Sequence, residues 1–248
     1  MKTHLSLHQR IHNADGSQQI ENLKAIHAYT HATMYSREEW DRIWYPHDNC
    51  TWAHGFGRMV GWEQVYVNSV THTDNGMSQL NLNNAKKYPI LRGHDLRSSG
   101  RTGIHALSIG VIEIADDGKS GRSFYLTPGT MFDIIGRGDK RSGGWLWERY
   151  GSDFVYKNGR WLYVHEQVCP DFGSSYDGTN WGHDVYEKAI NPQPERPMGG
   201  PAGGVTDPGP LHNDYTVCQL VQNTCPPPKP YRTLDDENSY SPGRNQFD

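Results

Sequence analysis

Apolar positions recur at helical spacing over residues 18–34, where Ile20, Leu23, Ile26, His27, Thr30 and Met34 fall near one face. That period predicts an amphipathic helix with Asp15 or Ser17 as its N-cap. A second, short helix is predicted over Ser36–Trp44, where Ser36 and Glu39 have capping-box spacing and Pro46 ends the run. Residues 49–54 read as a strand broken by Gly55 and Gly57, and Gly61–Val70 as a third helix. From residue 103 the period shortens to that of strands. Ile104–Ala115, Arg122–Ile135, Gly144–Tyr156 and Trp161–Val168 predict four long strands, with turns at 116–119 and 157–160. Pro128-Gly129 predicts a bulge or sharp bend in the second of these, and Gly151 another in the third. Helices followed by antiparallel strands imply an α+β fold: a cone-shaped barrel whose strongly bent sheet wraps the N-terminal helices.

Composition changes this picture in two ways. Hydrophobic residues are only 35% of the 248, yet there are 8 Trp, 14 Tyr and 6 Phe, so the core or a cavity is built largely from rings. Proline is also uneven, with 11 of the 15 lying after residue 190. That separates a cone domain over 15–190 from an N-terminal helical extension (1–14) and a Pro/Gly-rich extension (191–248). Within the last, residues 215–221 form an island that could add a strand, which favours an arm over a free tail. The formal charge of −4 gives no sequence-wide positive field for nucleic acid or anionic lipid. No apolar run has the length of a membrane span or of an export signal core, so a cytoplasmic protein is expected. Cys50, Cys169, Cys218 and Cys225 have no CxxC spacing; they read as free thiols, although Cys218 and Cys225 could pair in an oxidising compartment.

A family resemblance rests on several pieces of chain. They are Ile20-Glu21-Asn22-Leu23, His105-Ala106-Leu107 running into 111–119, Thr127-Pro128-Gly129, and the closing hairpin of 147–154 with Asn158-Gly159-Arg160-Trp161. On these, Ile20 to about Ala189 resembles a SnoaL-like member of the nuclear transport factor 2 superfamily. The superfamily also contains ketosteroid isomerase, scytalone dehydratase, limonene epoxide hydrolase and polyketide cyclases. In layout the chain is nearest to lyases of lignin-derived diarylpropanes, which lose a benzylic hydroxyl and release formaldehyde. The resemblance implies a cofactor-independent enzyme, a small aromatic substrate, and a homo-oligomer (dimer or trimer).

Candidate chemistry centres on histidine, of which there are 13. His105, at the start of a strand, is where the resemblance places a pocket-facing residue, and imidazole titrates near neutrality as proton transfer requires. His54 is a comparable candidate. Tyr29 could hydrogen-bond a leaving hydroxyl or a phenolate, with His31 nearby in the pocket wall. Asp153 could act as a base if burial raises its pKa, or simply pair with Arg149. Trp145, Trp147 and Arg149 share one strand face, opposite Leu146, Glu148 and Tyr150; rings beside an Arg suit an aryl substrate. Trp52 and Arg58 are further substrate-binding candidates, Arg58 as an anion hook. His165 alternates with Trp161, Tyr163 and Gln167, on a face that either lines the pocket or packs outside. His27 and His31 at i, i+4 could chelate a metal, but no carboxylate follows at fixed spacing and no metal site is assigned. His4, His8 and His12 read as a solvated helix face.

The expected activity is a lyase on a phenolic compound, with a histidine as acid–base and Tyr29 or Arg149 stabilising the developing phenolate or departing oxygen. A quinone-methide-like intermediate needs no metal or nucleotide. The rivals are an isomerase or cyclase using Asp153 or His105 as base, and a non-catalytic ligand-binding or assembly subunit.

Overall fold

The computed structural model describes residues 5–32, 36–54, 57–67, 86–92, 101–108, 110–133, 142–176, 206–207 and 225–247. Among the described residues three α-helices, α1 (Leu7–Ala32), α2 (Ser36–Ile43) and α3 (Trp62–Tyr66), accompany seven strands. The strands are β1 (Thr51–His54), β2 (Gly57–Val60), β3 (Arg101–His105), β4 (Val111–Ile114), β5 (Ser120–Asp133), β6 (Ser142–Lys157) and β7 (Arg160–Ser175). They form one sheet in the order β2-β1-β7-β6-β5-β3, with β4 also on β5. The β1–β7 pair is parallel and every other pair antiparallel. The sheet is curled but unclosed, and α1 packs against its inner face, so the α+β architecture expected from the sequence is the one observed.

Helix α1 starts well before the predicted 18–34 segment and runs through Asp15 and Ser17, reaching the sheet by its second turn. His12 belongs to that contact: its Nε2 is 3.0 Å from the Gly118 carbonyl, and its ring packs edge-on to Tyr156. The solvated-face reading of His12 is therefore wrong, while His8 is exposed. Gly16 sits flush on Trp161, where a Cβ would come to 3.0 Å of the ring. Ile20, Trp161, Phe154, Tyr163, Trp44, Trp40 and Ile43 fill the apolar end of the fold. Truncating Ile20 to Ala there would cost about 2–5 kcal/mol.

Two strand predictions need correction. The single strand expected over 104–115 is two, β3 and β4, both paired with β5. Pro128-Gly129 makes no bulge, since the β5–β6 register runs unbroken from Ser120 to Asp133. The irregularities lie instead between β6 and β7, at Trp147/Glu148 and Asp153/Phe154. The hairpin turn at 158–159 is as predicted, with Asn158 and Gly159 both at positive φ (52° and 78°). Of the C-terminal extension, residues 225–247 lie against the sheet face opposite α1; residues 215–221 fall outside the described segments. No helix among the described residues is long and apolar enough to cross a membrane.

Candidate active site

Positions 20, 24 and 27 of α1 fall on one helical face, and each meets the inner face of the sheet. Lys24 is fully buried there. Its Nζ lies 3.1 Å from Glu166 Oε1 and 3.2 Å from Ser152 Oγ. The rings of Tyr150, Tyr163 and Tyr125 surround it at 5.1, 5.4 and 5.6 Å. His27 Nε2 is 3.8 Å from the other oxygen of Glu166. The sheet supplies these partners by alternation: Glu148, Tyr150, Ser152 and Phe154 on β6 project inward. A bonded pair buried this deeply contributes little net stability, but removing one member strands the other charge.

One residue-pair step along β6, a second carboxylate gathers two histidines. Glu148 Oε2 accepts a hydrogen bond from Tyr150 Oη at 3.0 Å and lies 3.1 Å from His105 Nδ1. Oε1 lies 3.7 Å from His54 Nε2. Burial alone would raise the Glu148 pKa; hydrogen bonds from His105 and then His54, with their charges, overcome it and bring it down to about 2. Glu148 is thus held ionised by its two histidines despite its burial. An imidazole donating Nδ1–H to it carries its lone pair on Nε2, the arrangement that makes a histidine a base. Gly129 permits this geometry: a Cβ there would fall 2.6 Å from the Ile104 carbonyl and 3.5 Å from His105 Nδ1. Trp52 stacks on His54 at 5.8 Å between ring centroids and lines the same side.

Of the residues singled out from sequence, the structure therefore brings together His105, His54 and Trp52. Others it removes from the site. Tyr29 is 66% exposed, since it points off α1 on the side away from the sheet. Trp145, Trp147 and Arg149 occupy the outer face of β6. Arg149 pairs with Asp171 at 2.9 Å, Trp147 stacks on Phe172, and Trp145 is half exposed. Asp153, also on that face, pairs with Arg122 at 3.1 Å rather than with Arg149. Its other oxygen accepts hydrogen bonds from Ser239 Oγ and the Tyr240 backbone N–H, both at 2.8 Å.

His165 is likewise on the outer face. The irregularity at Asp153/Phe154 leaves Val164 unpaired, which splits the expected row: Trp161 and Tyr163 face the core, His165 the arm. There it bonds Thr51 Oγ1 at 2.9 Å and packs on Phe247. Burial lowers its pKa to about 4. Arg58 is no free anion hook; it clamps Asp207 with two hydrogen bonds (2.9 and 3.0 Å) and reaches Ser241. The side chain of His31 lies outside the described residues, and among those no group of three His, Cys, Asp or Glu suits a metal.

Sequence reasoning missed Glu148, Tyr150, Lys24 and Glu166. Lys24 breaks the apolar row one helical turn from Ile20, but Glu148 shares its strand face with Tyr150 and Ser152, so no interruption of an apolar stripe marks it.

No protein-family model matches the chain, and no curated protein matches it. Solved structures do. A scytalone dehydratase-like protein from Novosphingobium aromaticivorans DSM 12444 shares 12% identity over 67% of this chain and 91% of its own, with a TM-score of 0.47. LinA shares 12% over 68% and 95%, with a TM-score of 0.48. The hexachlorocyclohexane dehydrochlorinase LinA-type3 from Novosphingobium barchaimii LL02 shares 15% over 70% and 96%, at 0.44.

Proposed function

We propose that this chain is a cofactor-independent lyase of the nuclear transport factor 2-like superfamily, acting on a small phenolic compound of the diarylpropane type. The observation that carries the reading is the Glu148 carboxylate held between His105 and His54 with Tyr150. Such a grouping offers a base and an acid on opposite sides of one fixed negative charge, which is the minimum that an elimination requires. His105, oriented by Glu148, takes a proton through Nε2. His54 is the more accessible histidine, its side chain 28% exposed, and it donates to the departing oxygen. Tyr150, whose hydroxyl bonds Glu148, takes the stabilising role expected of Tyr29 or Arg149.

In a para-hydroxyaryl propanediol, the phenol loses its proton and the benzylic hydroxyl leaves as water, giving a quinone methide. His105 then takes the proton of the terminal hydroxyl. The carbon–carbon bond breaks, formaldehyde departs, and its electron pair restores the phenolate on a stilbene. Water, formaldehyde and stilbene account for all the atoms. The isomerase reading that uses Asp153 as base lacks support, because that carboxylate is buried between Arg122 and the arm.

Purified protein incubated with an erythro-diarylpropanediol bearing a free para-hydroxyl is expected to release formaldehyde and a stilbene chromophore. Unchanged diol, with no water-loss product from related phenolic alcohols, would refute the reading.

A further inference from the structure

Two thiols on the outer face take no part in the proposed chemistry. Cys169 is on β7, Cys225 lies in the arm, and both are wholly buried. With Tyr240 they form one cluster, against which Phe124 packs. The two side chains adjoin within that cluster. The backbone beneath makes room for them: a Cβ on Gly151 would fall 2.5 Å from Cys225 Sγ and 2.6 Å from the Tyr240 ring. The missing side chain at 151 is thus the seat that lets the arm bring its cysteine to β7. Beyond it the arm is aligned by Asp153, which bonds Ser239 and Tyr240, and by the Lys157 ammonium on the Phe247 carbonyl at 2.6 Å.

We propose that Cys169 and Cys225 are a modification site, a thiol pair that oxidises to a disulfide and staples the C-terminal arm to the sheet. A small-molecule disulfide serves as oxidant. The Cys225 thiolate attacks one of its sulfurs and expels a small thiolate. The Cys169 thiolate then attacks the Cys225 sulfur of the mixed disulfide and expels the second. One S–S bond is lost from the oxidant and one gained by the protein, and the two protons of the protein thiols end on the two released thiols. While the arm is docked, the adjoining Cys169 and burial hold the Cys225 thiol well above its ordinary pKa, so exchange starts from molecules whose arm has lifted into water. Redocking then shelters the product from reductant, and the closed loop between 169 and 225 restricts further opening.

The full-length chain is to be treated with oxidised glutathione, alkylated and digested without reduction. A peptide linking Cys169 to Cys225 is expected, with an intact mass lower by two hydrogens. Proteolysis of the arm should slow at least about ten-fold, since lifting is then tethered. Cys218→Ser should keep the link, whereas Cys225→Ser should lose it together with the protection. A Cys218–Cys225 link, or a chain that stays fully alkylatable after the oxidant, would overturn the proposal.

Discussion

The two faces of β6 and β7 carry nearly the same chemical inventory and put it to different uses. The inner face holds Glu148 and Glu166 with three histidines and a lysine; the outer face holds Asp153 with Arg122, and His165 beside Arg58. What separates them is the lid. Helix α1 crosses the inner face but leaves His54 partly exposed beside Glu148. The arm lies flat on the outer face and satisfies it: both Asp153 oxygens are taken, and His165 is sealed beneath Phe247. A buried charge whose partners all come from the fold is held in place and is costly to strand; one beside a partly exposed histidine is a candidate for chemistry.

The largest difference between the faces should appear in variants of their charged groups. His105→Ala is expected to lower turnover of the phenolic diol, expressed per folded molecule, by about 10²–10⁴, with some loss of stability because buried Glu148 keeps only Tyr150 and the more distant His54. Asp153→Ala should act on stability instead, costing about 3–5 kcal/mol in denaturant melts because Arg122 loses its buried partner. Turnover per folded molecule should hold.

Lys24→Met should be nearly as destabilising, for it leaves Glu166 buried without its cation. The double variant Lys24→Met, Glu166→Leu should recover most of the loss, and a cycle showing simple additivity would mean that the two are not coupled.

A smaller effect is set by pH. His165 has a folded pKa of about 4 against the ordinary 6.5 of an exposed imidazole, so between those limits the unfolded chain binds the extra proton. Its contribution is complete above about 6.5 and is lost as pH falls to about 4, on the order of 3 kcal/mol in all. Unfolding free energies measured across that window should slope accordingly, and His165→Gln should flatten the slope. Smallest of all, Trp145→Ala, on a half-exposed ring, should change stability by about 0.5 kcal/mol or less.

Much of the fold was legible because periodicity and turn chemistry are local. The helix around Ile20 and Leu23, the Asn158-Gly159 turn and the long strands 122–135 and 144–156 follow from them. Which strand face turns inward is not local. The alternation of Trp145, Trp147 and Arg149 against Glu148 and Tyr150 is symmetrical in sequence, and only α1 docking on one side breaks the tie. Val164, whose insertion reverses the phase between Tyr163 and His165, carries no composition signal at all. For the same reason His105 and His54 could be named as candidates, but the carboxylate that joins them could not.

The most direct test compares His105→Ala and Asp153→Asn on the same para-hydroxy diarylpropanediol, with formaldehyde release expressed per folded molecule. Chemistry on the inner face predicts wild-type release, a loss of about a hundred-fold or more in His105→Ala, and near wild-type turnover in Asp153→Asn. Abolished turnover in folded Asp153→Asn, with His105→Ala still active, would contradict it and place the reaction on the outer face.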